Sequence, residues 1–572
     1  MLKIPYGESD FRGMIERDYF YQDRTHYIEH LENWYSKFPV FLRPRRFGKS
    51  LFISTLHHYY GLEHKDNFQN IFAKLYIGQH PTPLANSYMV LSFEFSRIDT
   101  ATHESTYRGF LHNVREGAHL FLGAYRHLFT PEQHTEILSN TTPEGYIKDI
   151  FGFTKKNEIP YKIYLLIDEY DHFANELLAF DMERFKKEVN RNGFVRKFYE
   201  TLKKATSASV IDRMFITGVS PVTLDSLTSG FNISNNITTL IQFHDMMGFT
   251  HDEVKALLVK SGVEADKLLP IFADLVDWYD GYKFASLAKQ PLFNPDMLLY
   301  FLMYYNSSGD YPEVMLDTNV VSDYRKIKNI FKIGDEEAAR YEMLEQLVKV
   351  GHIDFTLTQL YNLEGVFKDE DFLSLLFYMG MLSFKERTMI GWRFEIPNYV
   401  IKKLYFEYFI TVQLEKTRFA KSSRPIRGAI EVMMAENNPE PFFKIVETVL
   451  TEHHSNRDEM VYGEKHLQTL MIGLLCPYES YFIHSEFEAK RTYPDIFLEK
   501  MPNSLLPNDV VLELKYVKKS NEKSLPTVIK EAQTQLDGYM TSARFARPDV
   551  CGYYVVYLGG EVYKWEQWGT YV

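Results

Sequence analysis

The sequence predicts a protein of the α/β class, and two observations support this. Within residues 1–239, four short apolar runs that are typical of buried strands alternate with longer stretches whose apolar residues have helical spacing. Strand-like runs return near residue 481, after a mainly helical region. Strands that are joined by helices favour a parallel sheet with right-handed crossovers, so we expect such a sheet in the N-terminal part.

Length and composition limit the classes of protein that fit this sequence. The chain has 572 residues, of which 45% are hydrophobic and 24% charged, as in a globular protein of about three to four domains. Its net charge of −12 excludes a wholly basic nucleic-acid coat, although a local basic groove is compatible with it. Cys476 and Cys551 are too few for a disulfide framework or a cysteine-rich zinc site. No apolar run approaches the roughly 20 residues that span a bilayer, and no signal peptide is visible, so we expect a cytoplasmic protein without membrane contact.

A basic, glycine-containing loop follows the first apolar run. The run at 38–42 leads into the motif RPRRFGKS and then into a stretch with helical spacing. Strand, tight loop and helix together are the setting of a phosphate-binding loop, because the N–H groups and the dipole of a helix N-terminus attract phosphate. In that interpretation Lys49 reaches the β- and γ-phosphates and the Ser50 hydroxyl binds Mg²⁺. Arg43 stands where the P-loop pattern has its first glycine, which leaves a basic surface turn as the alternative.

Acidic residues end the third apolar run, at 163–167. Because ligands of open α/β sheets bind at the carboxyl ends of the strands, we expect these acids at the same edge as the basic loop. Asp168 is placed to hold Mg²⁺ directly or through water, and Glu169 to orient and polarise the water that attacks the γ-phosphate. Asp171 is an extra carboxylate without an assigned role. The alternative is that the acids merely end a strand or cap a helix.

The fourth apolar run ends in FITGVS and supplies hydroxyl groups at the same edge. Thr217 and Ser220 are candidates to sense the γ-phosphate through a hydrogen bond between it and the attacking water. An ordinary strand end explains these hydroxyls equally well.

These motifs together resemble one family, the bacterial AAA-ATPase-like proteins that carry a PD-(D/E)XK nuclease domain at the C-terminus. The similarity extends over IPYG at 4–7, YQDRT at 21–25, RPRRFGKS at 43–50, LLIDEYD at 165–171, FITGVS at 215–220, WYDGYKF at 278–284 and FNP at 293–295. The resemblance implies a P-loop NTPase core with an ASCE-type parallel sheet, Walker A and Walker B motifs, a catalytic Glu169, and ATP with Mg²⁺ as ligands. The family's own loop also lacks the first glycine. Loop residues expected at the nucleotide are Arg43, Pro44, Arg45, Arg46, Phe47, Gly48, Lys49 and Ser50. The three arginines are expected to face either the phosphates or another part of the domain.

The middle of the chain is mainly helical in pattern. Residues 240–292 form a predicted helical lid over the nucleotide, with a capping box at Thr250 and Glu253. We interpret WYDGYKF as an aromatic core joint with a glycine turn rather than a catalytic cluster. Helices followed by a β-like segment at 389–398 resemble a winged-helix module, although no basic recognition helix stands out.

Strand-like segments near the C-terminus carry the PD-(D/E)XK pattern. Asp495 follows a proline, and Glu513 and Lys515 lie in the run 509–517, with a hairpin predicted between the two segments. Because side chains alternate across a strand, Glu513 and Lys515 face the same side, and Asp495 can join them from the neighbouring strand. Two carboxylates and a strand carbonyl bind Mg²⁺ or Mn²⁺, which stabilises the pentavalent phosphate and lowers the pKa of the attacking water. Lys515 would position that water or offset developing charge.

The resemblance implies further residues at this second site. Either Glu486 or Glu488 corresponds to the family's metal-binding glutamate. Either Gln533 or Gln535, in a helix that matches the family's Gln…Tyr helix, steadies the attacking water or a phosphate. A local basic patch either follows the phosphates of nucleic acid or is an ordinary solvated face, and it consists of Lys515, Lys518, Lys519 and Lys523.

The two sets of motifs predict an ATP-binding and ATP-hydrolysing protein with a metal-dependent nuclease domain that acts on nucleic acid, with DNA favoured. The alternative is an ATP-dependent switch or scaffold whose nuclease-like domain binds nucleic acid or a partner without cutting. A homo-oligomer is compatible with either. The expected domains are the ATPase core at 1–239, the helical lid at 240–292, a helical and winged-helix-like region at 293–400, linking helices at 401–450, and a restriction-endonuclease-like α/β domain at 451–572.

Overall fold

The computed structural model describes residues 2–180, 193–222, 233–317, 331, 337–359, 361, 367–415, 417–454, 463–478, 481–485, 494–501 and 505–570. The chain divides into two compact units. The first comprises Met1–Asp310, Leu316–Arg340 and Asp354–Asn398, and the second comprises Tyr311–Met315, Tyr341–Ile353 and Tyr399–Val572.

A five-stranded parallel sheet forms the centre of the first unit, as the alternating pattern predicts. Its strands are β1 (Pro39–Leu42), β2 (Tyr88–Glu94), β3 (Lys162–Asp168), β4 (Ile211–Gly218) and β5 (Asn235–Asn236). Their order is β2-β3-β4-β1-β5, and every pairing is parallel. The strand β4 therefore lies between β1, which precedes the basic loop, and β3, which ends in the acids.

The register of this sheet determines which side chains share its carboxyl edge. Leu42 pairs with Gly218, and Ile167 pairs with Ile216. The last residues of β1, β3 and β4 therefore lie side by side. The interior residues of β3 are fully buried, as expected for a strand with helices on both faces.

Helices of the first unit surround this sheet. They are α1 (Phe11–Glu16), α2 (His26–Glu32), α3 (Lys49–Tyr60), α4 (Phe68–Phe72), α5 (Tyr76–Gln79), α6 (His103–Ala124), α7 (Pro131–Leu138), α8 (Pro143–Lys156), α9 (His172–Phe180), α10 (Phe194–Ser207), α11 (His251–Lys260), α12 (Ala265–Tyr279) and α13 (Pro295–Ser308). Thr250 and Glu253 form the predicted capping box at the start of α11.

Further helices and a small sheet follow in the middle of the chain. The helices there are α14 (Glu337–Val350) and α15 (Asp369–Tyr378), and the strands are β6 (His352–Phe355), β7 (Ser383–Arg387) and β8 (Trp392–Glu395). The strand order is β6-β8-β7, and β7 and β8 form an antiparallel hairpin. A helix followed by β-strands is therefore present in this region, although the predicted β-like segment at 389–398 contains β8 and not β7.

The second unit contains a mixed five-stranded sheet. Its strands are β9 (Tyr481–Ser485), β10 (Ile496–Lys500), β11 (Asp509–Val517), β12 (Val550–Leu558) and β13 (Glu561–Gln567), in the order β13-β12-β11-β10-β9. The pair β11–β12 is parallel and the others are antiparallel, so the predicted hairpin of β10 and β11 is confirmed.

The C-terminal part of the second unit also contains helices. They are α16 (Tyr399–Leu414), α17 (Arg424–Glu436), α18 (Glu440–His454), α19 (Glu464–Leu475) and α20 (Leu525–Met540). The apolar face of α20 packs on one face of the sheet, where Leu536 meets Val511 and Val556. Among the residues that the structure describes, no helix in either unit is long and apolar enough to cross a membrane.

Candidate functional site

The basic loop connects β1 directly to the N-terminus of α3. Arg46 and Gly48 have positive φ angles of 66° and 89°, which let the chain turn tightly between the strand and the helix. Lys49 is the first residue of α3, and its Nζ donates to the carbonyls of Arg43 at 3.0 Å and Pro44 at 2.9 Å. Burial lowers the pKa of Lys49, although the nearby carboxylates of Glu169 and Asp168 oppose this. The backbone of the loop therefore surrounds the ammonium group of Lys49.

Arg43 differs from the other loop arginines because its side chain points into the domain. It is 1% exposed, and its guanidinium lies 4.1 Å and 4.2 Å from the ring centroids of Phe41 and Phe284. Its terminal nitrogens donate to four carbonyls, at 2.9 to 3.0 Å, those of Leu42, Thr238, Phe243 and His244. Of the two expected roles, this side chain therefore has the domain-contacting one. The alternative expectation, that Arg43 faces the phosphates, is therefore wrong for this side chain. No N–H group of its guanidinium is directed at the cavity described below.

Arg45 and Arg46 line that cavity. The Nη2 of Arg45 lies 3.2 Å from His172 Nδ1, and the same ring nitrogen lies 3.3 Å from Glu169 Oε2. Arg46 donates to Asp296 Oδ2 at 2.9 Å. Both guanidinium groups are thereby oriented by partners from outside the loop.

The acids at the end of β3 lie beside the loop, as predicted. Asp168 accepts a hydrogen bond from the N–H of Glu169 at 2.9 Å and another from the Ser50 hydroxyl. Burial raises the pKa of Asp168 to about 6. Glu169 has a φ of 49°, an uncommon conformation for a residue other than glycine, and its carboxylate faces the cavity. Ser50 and Asp168 together offer the hydroxyl and carboxylate oxygens that Mg²⁺ prefers.

Asp171 connects the end of β3 to the segment that follows β4. Its carboxylate accepts from the N–H groups of Val219, at 3.0 Å, and Ser220, at 2.6 Å. The Ser220 hydroxyl donates to Asn175 Oδ1 at 2.6 Å, so it is already engaged within the domain. Thr217 is fully buried, and its hydroxyl has no hydrogen-bond partner in the described part of the chain. Neither hydroxyl lines the cavity.

A cavity of about 490 Å³ opens on the loop. Its polar lining includes residues 45–50 of the loop, Glu169, His172 and Asp296, and also Glu8, Ser9, Gln22 and Arg24. Its apolar lining comes from segments far apart in the sequence and includes Met14, Phe20, Met246, Met247 and Phe249. These apolar residues were not predicted, because no local motif marks them and only the folded chain brings them together.

The second site lies on one face of the sheet in the second unit. Asp495 directly precedes β10, and its Oδ2 accepts from the N–H of Leu514 in β11 at 2.6 Å. Lys515 donates to Glu513 Oε1 at 2.7 Å. The structure therefore brings together the three residues of the predicted pattern.

Glu464 is a fourth residue of this site that the sequence reasoning missed. It lies in the first turn of α19, and its carboxylate is 3.4 Å from Lys515 Nζ. Gln468, one turn further along α19, donates to the carbonyl of Asp495 at 2.6 Å. One feature of the sequence could have indicated that Glu464 belongs to this site. It stands at the start of a helix that shortly precedes the strands.

The remaining predicted residues of this site have different positions. Gln533 lies 3.1 Å from Glu566 and 3.5 Å from the Tyr554 hydroxyl, on the sheet side of α20. Gln535 is exposed, because two residues along a helix turn a side chain to the opposite face. Glu486 and Glu488 lie outside the described residues.

Burial and mutual charge determine the electrostatics of this site. Burial and the neighbouring Glu513 raise the pKa of Asp495, and burial raises the pKa of Glu513. Burial opposes a charged Lys515, but Glu513 and Glu464 raise its pKa above the usual range. Glu513 Oε2 is buried and has no hydrogen-bond partner in the part of the chain that is described. A divalent cation fits this donor set, because it would satisfy the buried oxygen and offset the carboxylate charges.

Comparison with known proteins yields two family matches. Residues 5–228 match the family of predicted AAA-ATPases, and residues 462–568 match the PD-(D/E)XK nuclease superfamily. The uncharacterized protein in the vnfD 5′ region of Azotobacter chroococcum mcd 1 is 26% identical over 307 residues, which are 52% of this chain and 52% of that protein. The chain thus spans about half the length of this relative. A Walker-type ATPase of Pyrococcus abyssi has 11% sequence identity and a TM-score of 0.37, over 71% of this chain and 98% of its own.

The basic loop and its acids lie within the first matched segment, and Glu464, Asp495, Glu513 and Lys515 lie within the second. The chain therefore contains a predicted AAA-ATPase-like domain and, towards its C-terminus, a domain of the PD-(D/E)XK nuclease superfamily.

Proposed function

We propose that this protein binds and hydrolyses ATP and that its C-terminal domain is a metal-dependent nuclease that cleaves phosphodiester bonds in nucleic acid, with DNA as the favoured substrate. One observation supports this above the others: Asp495, Glu513 and Lys515 lie together with a buried carboxylate oxygen that lacks a partner among the described residues. A buried carboxylate oxygen without a partner is uncommon in proteins, and a bound metal ion would explain it.

In the first unit, the loop N–H groups and the start of α3 bind the phosphates of ATP. Lys49 exchanges its bonds to the loop carbonyls for bonds to the β- and γ-phosphates. Ser50 and Asp168 hold Mg²⁺, which neutralises phosphate charge when bound. Glu169 orients the attacking water and accepts its proton, while Arg45 and Arg46 add positive charge beside the phosphates. The apolar lining of the cavity accommodates the base.

In the second unit, Asp495, Glu513 and Glu464 hold Mg²⁺ or Mn²⁺, with the Asp495–Leu514 hydrogen bond fixing one carboxylate in place. A bound ion would supply Lewis-acid stabilisation of the negative charge that develops on the phosphate. Lys515 donates to the attacking water or to a phosphate oxygen. Gln533 steadies the nucleic acid from α20.

The decisive experiment is a cleavage assay on single-stranded and double-stranded DNA and RNA, with and without ATP, Mg²⁺ and Mn²⁺. We expect Asp495→Ala and Glu513→Ala each to abolish metal-dependent cleavage. Glu499→Ala is the matched control, because Glu499 is a carboxylate on the neighbouring strand β10 that is paired with His484 instead. Equal cleavage by the wild type and both site variants would exclude the proposed nuclease site.

The alternative is an ATP-dependent switch or scaffold that binds nucleic acid or a partner without cutting. It predicts ATP binding that depends on Lys49 together with the absence of cleavage under every nucleotide and metal condition. The same assay therefore separates the two functions.

A further inference from the structure

Two histidines and a glutamate form a cluster outside both proposed sites. His57 lies in the last turn of α3, and Glu63 and His64 lie in the short 3-10 helix that follows it. Lys49 begins the same helix eight residues earlier, so the cluster is about 12 Å from the basic loop along the helix axis. The proposed ATPase and nuclease chemistry uses none of these three side chains.

The ligand atoms of these three side chains converge. His57 Nε2 lies 3.0 Å and His64 Nε2 lies 3.7 Å from Glu63 Oε1, and one nitrogen or oxygen from each residue falls within 4.8 Å of the others. The side chains are 34%, 18% and 19% exposed for His57, His64 and Glu63, so they are shielded but reachable from solvent. Small rotations would place all three atoms around one ion.

Neighbouring hydroxyl groups orient two of the three side chains. Ser92 Oγ, on β2, lies 3.3 Å from His57 Nδ1, which is the ring nitrogen that faces away from the cluster. The hydroxyl of Tyr125, which follows α6, donates to Glu63 Oε2, the carboxylate oxygen opposite His57. Metal-binding histidines and carboxylates usually have such outer partners, which fix the tautomer of the imidazole and the orientation of the carboxylate.

We propose that His57, Glu63 and His64 bind a divalent transition-metal ion of the Zn²⁺ type. Two imidazoles and one carboxylate suit Zn²⁺ or Co²⁺, whereas Mg²⁺ prefers oxygen ligands alone. Three protein ligands leave a fourth position for water or another ligand. Because Glu63 and His64 lie beyond the end of α3, the ion would join the C-terminus of the helix that carries Lys49 to the turn that follows it.

The competing explanation is a hydrogen-bonded ion pair in which Glu63 simply holds His57. A metal titration of the full-length chain distinguishes the two. The protein is treated with a chelator, supplied with excess Mg²⁺ to fill sites made of oxygen ligands, and titrated with Co²⁺ and then Zn²⁺. We expect the wild type to bind one equivalent more than His57→Ala/His64→Ala, with visible Co²⁺ absorption that Zn²⁺ removes and that the double variant lacks.

Two further variants test the geometry. His112→Ala removes an exposed histidine of α6 and is expected to behave as the wild type. Ser92→Ala is expected to keep the Co²⁺ spectrum but to weaken binding about 10-fold, because Ser92 orients His57 without being a ligand. All variants are first shown to melt as the wild type without added metal. Equal metal stoichiometry in the wild type and the double variant, or the absence of a Co²⁺ spectrum from the wild type, would overturn the proposal.

Discussion

Arg43 and Arg45 are two residues apart in one motif, yet their side chains have opposite surroundings. Arg43 donates to four backbone carbonyls inside the domain, and Arg45 lines the cavity. We expect Arg43→Ala to lower the free energy of unfolding by about 3 kcal/mol, because buried carbonyls lose their donor and a cavity is left. Thermal melting without nucleotide measures this effect.

Arg45→Ala is the matched comparison for Arg43→Ala. It removes the same side chain from the same loop at a half-buried position that lines the cavity. We expect it to melt as the wild type and to reduce ATP turnover. If Arg43→Ala melts as the wild type and Arg45→Ala does not, the assignment is wrong. The structural arginine of the loop would then be Arg45 and not Arg43.

The raised pKa of Asp168 predicts that the proposed nucleotide site is sensitive to pH. This pKa is raised to about 6, so the carboxylate that would hold Mg²⁺ becomes protonated as the pH falls through 6. We expect the affinity for Mg·ATP to decline about tenfold per pH unit below pH 6, because metal binding requires the ionised form. The same shift means that the folded state binds this proton more tightly than the unfolded state, so the group's contribution to stability falls as the pH rises from about 4 to 6.

Asp168→Asn separates the protonation of Asp168 from that of ATP itself. The nucleotide titrates equally in both measurements, so only the ratio of wild-type to variant affinity reports on Asp168. We expect this ratio to be large at pH 8 and about tenfold smaller at pH 5, as measured by calorimetry. A ratio that does not change with pH would contradict the assigned role.

At the scale of elements, the turn after α15 packs against the basic loop. Gly380 has a φ of 78°, and a Cβ added there would lie 2.7 Å from Pro44 Cγ. In the same loop, Phe47 meets the rings of Tyr282 and Phe284 edge to face, at 5.1 and 5.3 Å. The WYDGYKF motif is therefore an aromatic joint, and its rings support the basic loop.

We expect Gly380→Ala to weaken ATP binding and stability together. The positive φ costs about 1–2 kcal/mol in any residue with a Cβ, and overpacking against Pro44 adds about 1–3 kcal/mol. Gly309→Ala is the matched control, because Gly309 has a φ of 76° but no atom within 4 Å of its added Cβ. Melting temperature and ATP affinity are measured for both. Equal effects of the two variants would show that the contact with Pro44 does not support the loop.

The strand or helix on which each site residue lies explains whether the sequence could predict that residue. Glu513 and Lys515 follow from the two-residue period of one strand, and Asp168 follows from the rule that acids at a strand end share the sheet edge. Glu464 did not follow, since its approach to Lys515 depends on how α19 packs on β11, 51 residues along the chain. The direction of the Arg43 side chain was equally difficult to predict, because three of its four acceptors are carbonyls about 200 residues away, which no local pattern reveals.

At the scale of the whole molecule, the ATPase core and the nuclease core are separate in sequence and belong to different compact units. Each contains its own buried carboxylates and its own lysine. The described residues of each site all belong to one unit, so we expect single substitutions to remove one activity at a time.

We therefore expect Lys49→Ala to abolish ATP hydrolysis while leaving metal-dependent cleavage without ATP intact, and Glu513→Gln to have the reverse effect. In the proposed function, Lys49 binds only the phosphates of ATP, and Glu513 binds only the metal ion of the nuclease domain. Both activities are measured on the same preparations of the full-length chain, with Arg427→Ala as an exposed control on α17. If Lys49→Ala also abolishes cleavage at saturating Mn²⁺ and without ATP, the nuclease requires an intact nucleotide site for more than regulation. If Glu513→Gln abolishes ATP hydrolysis, the two units are not independent catalysts.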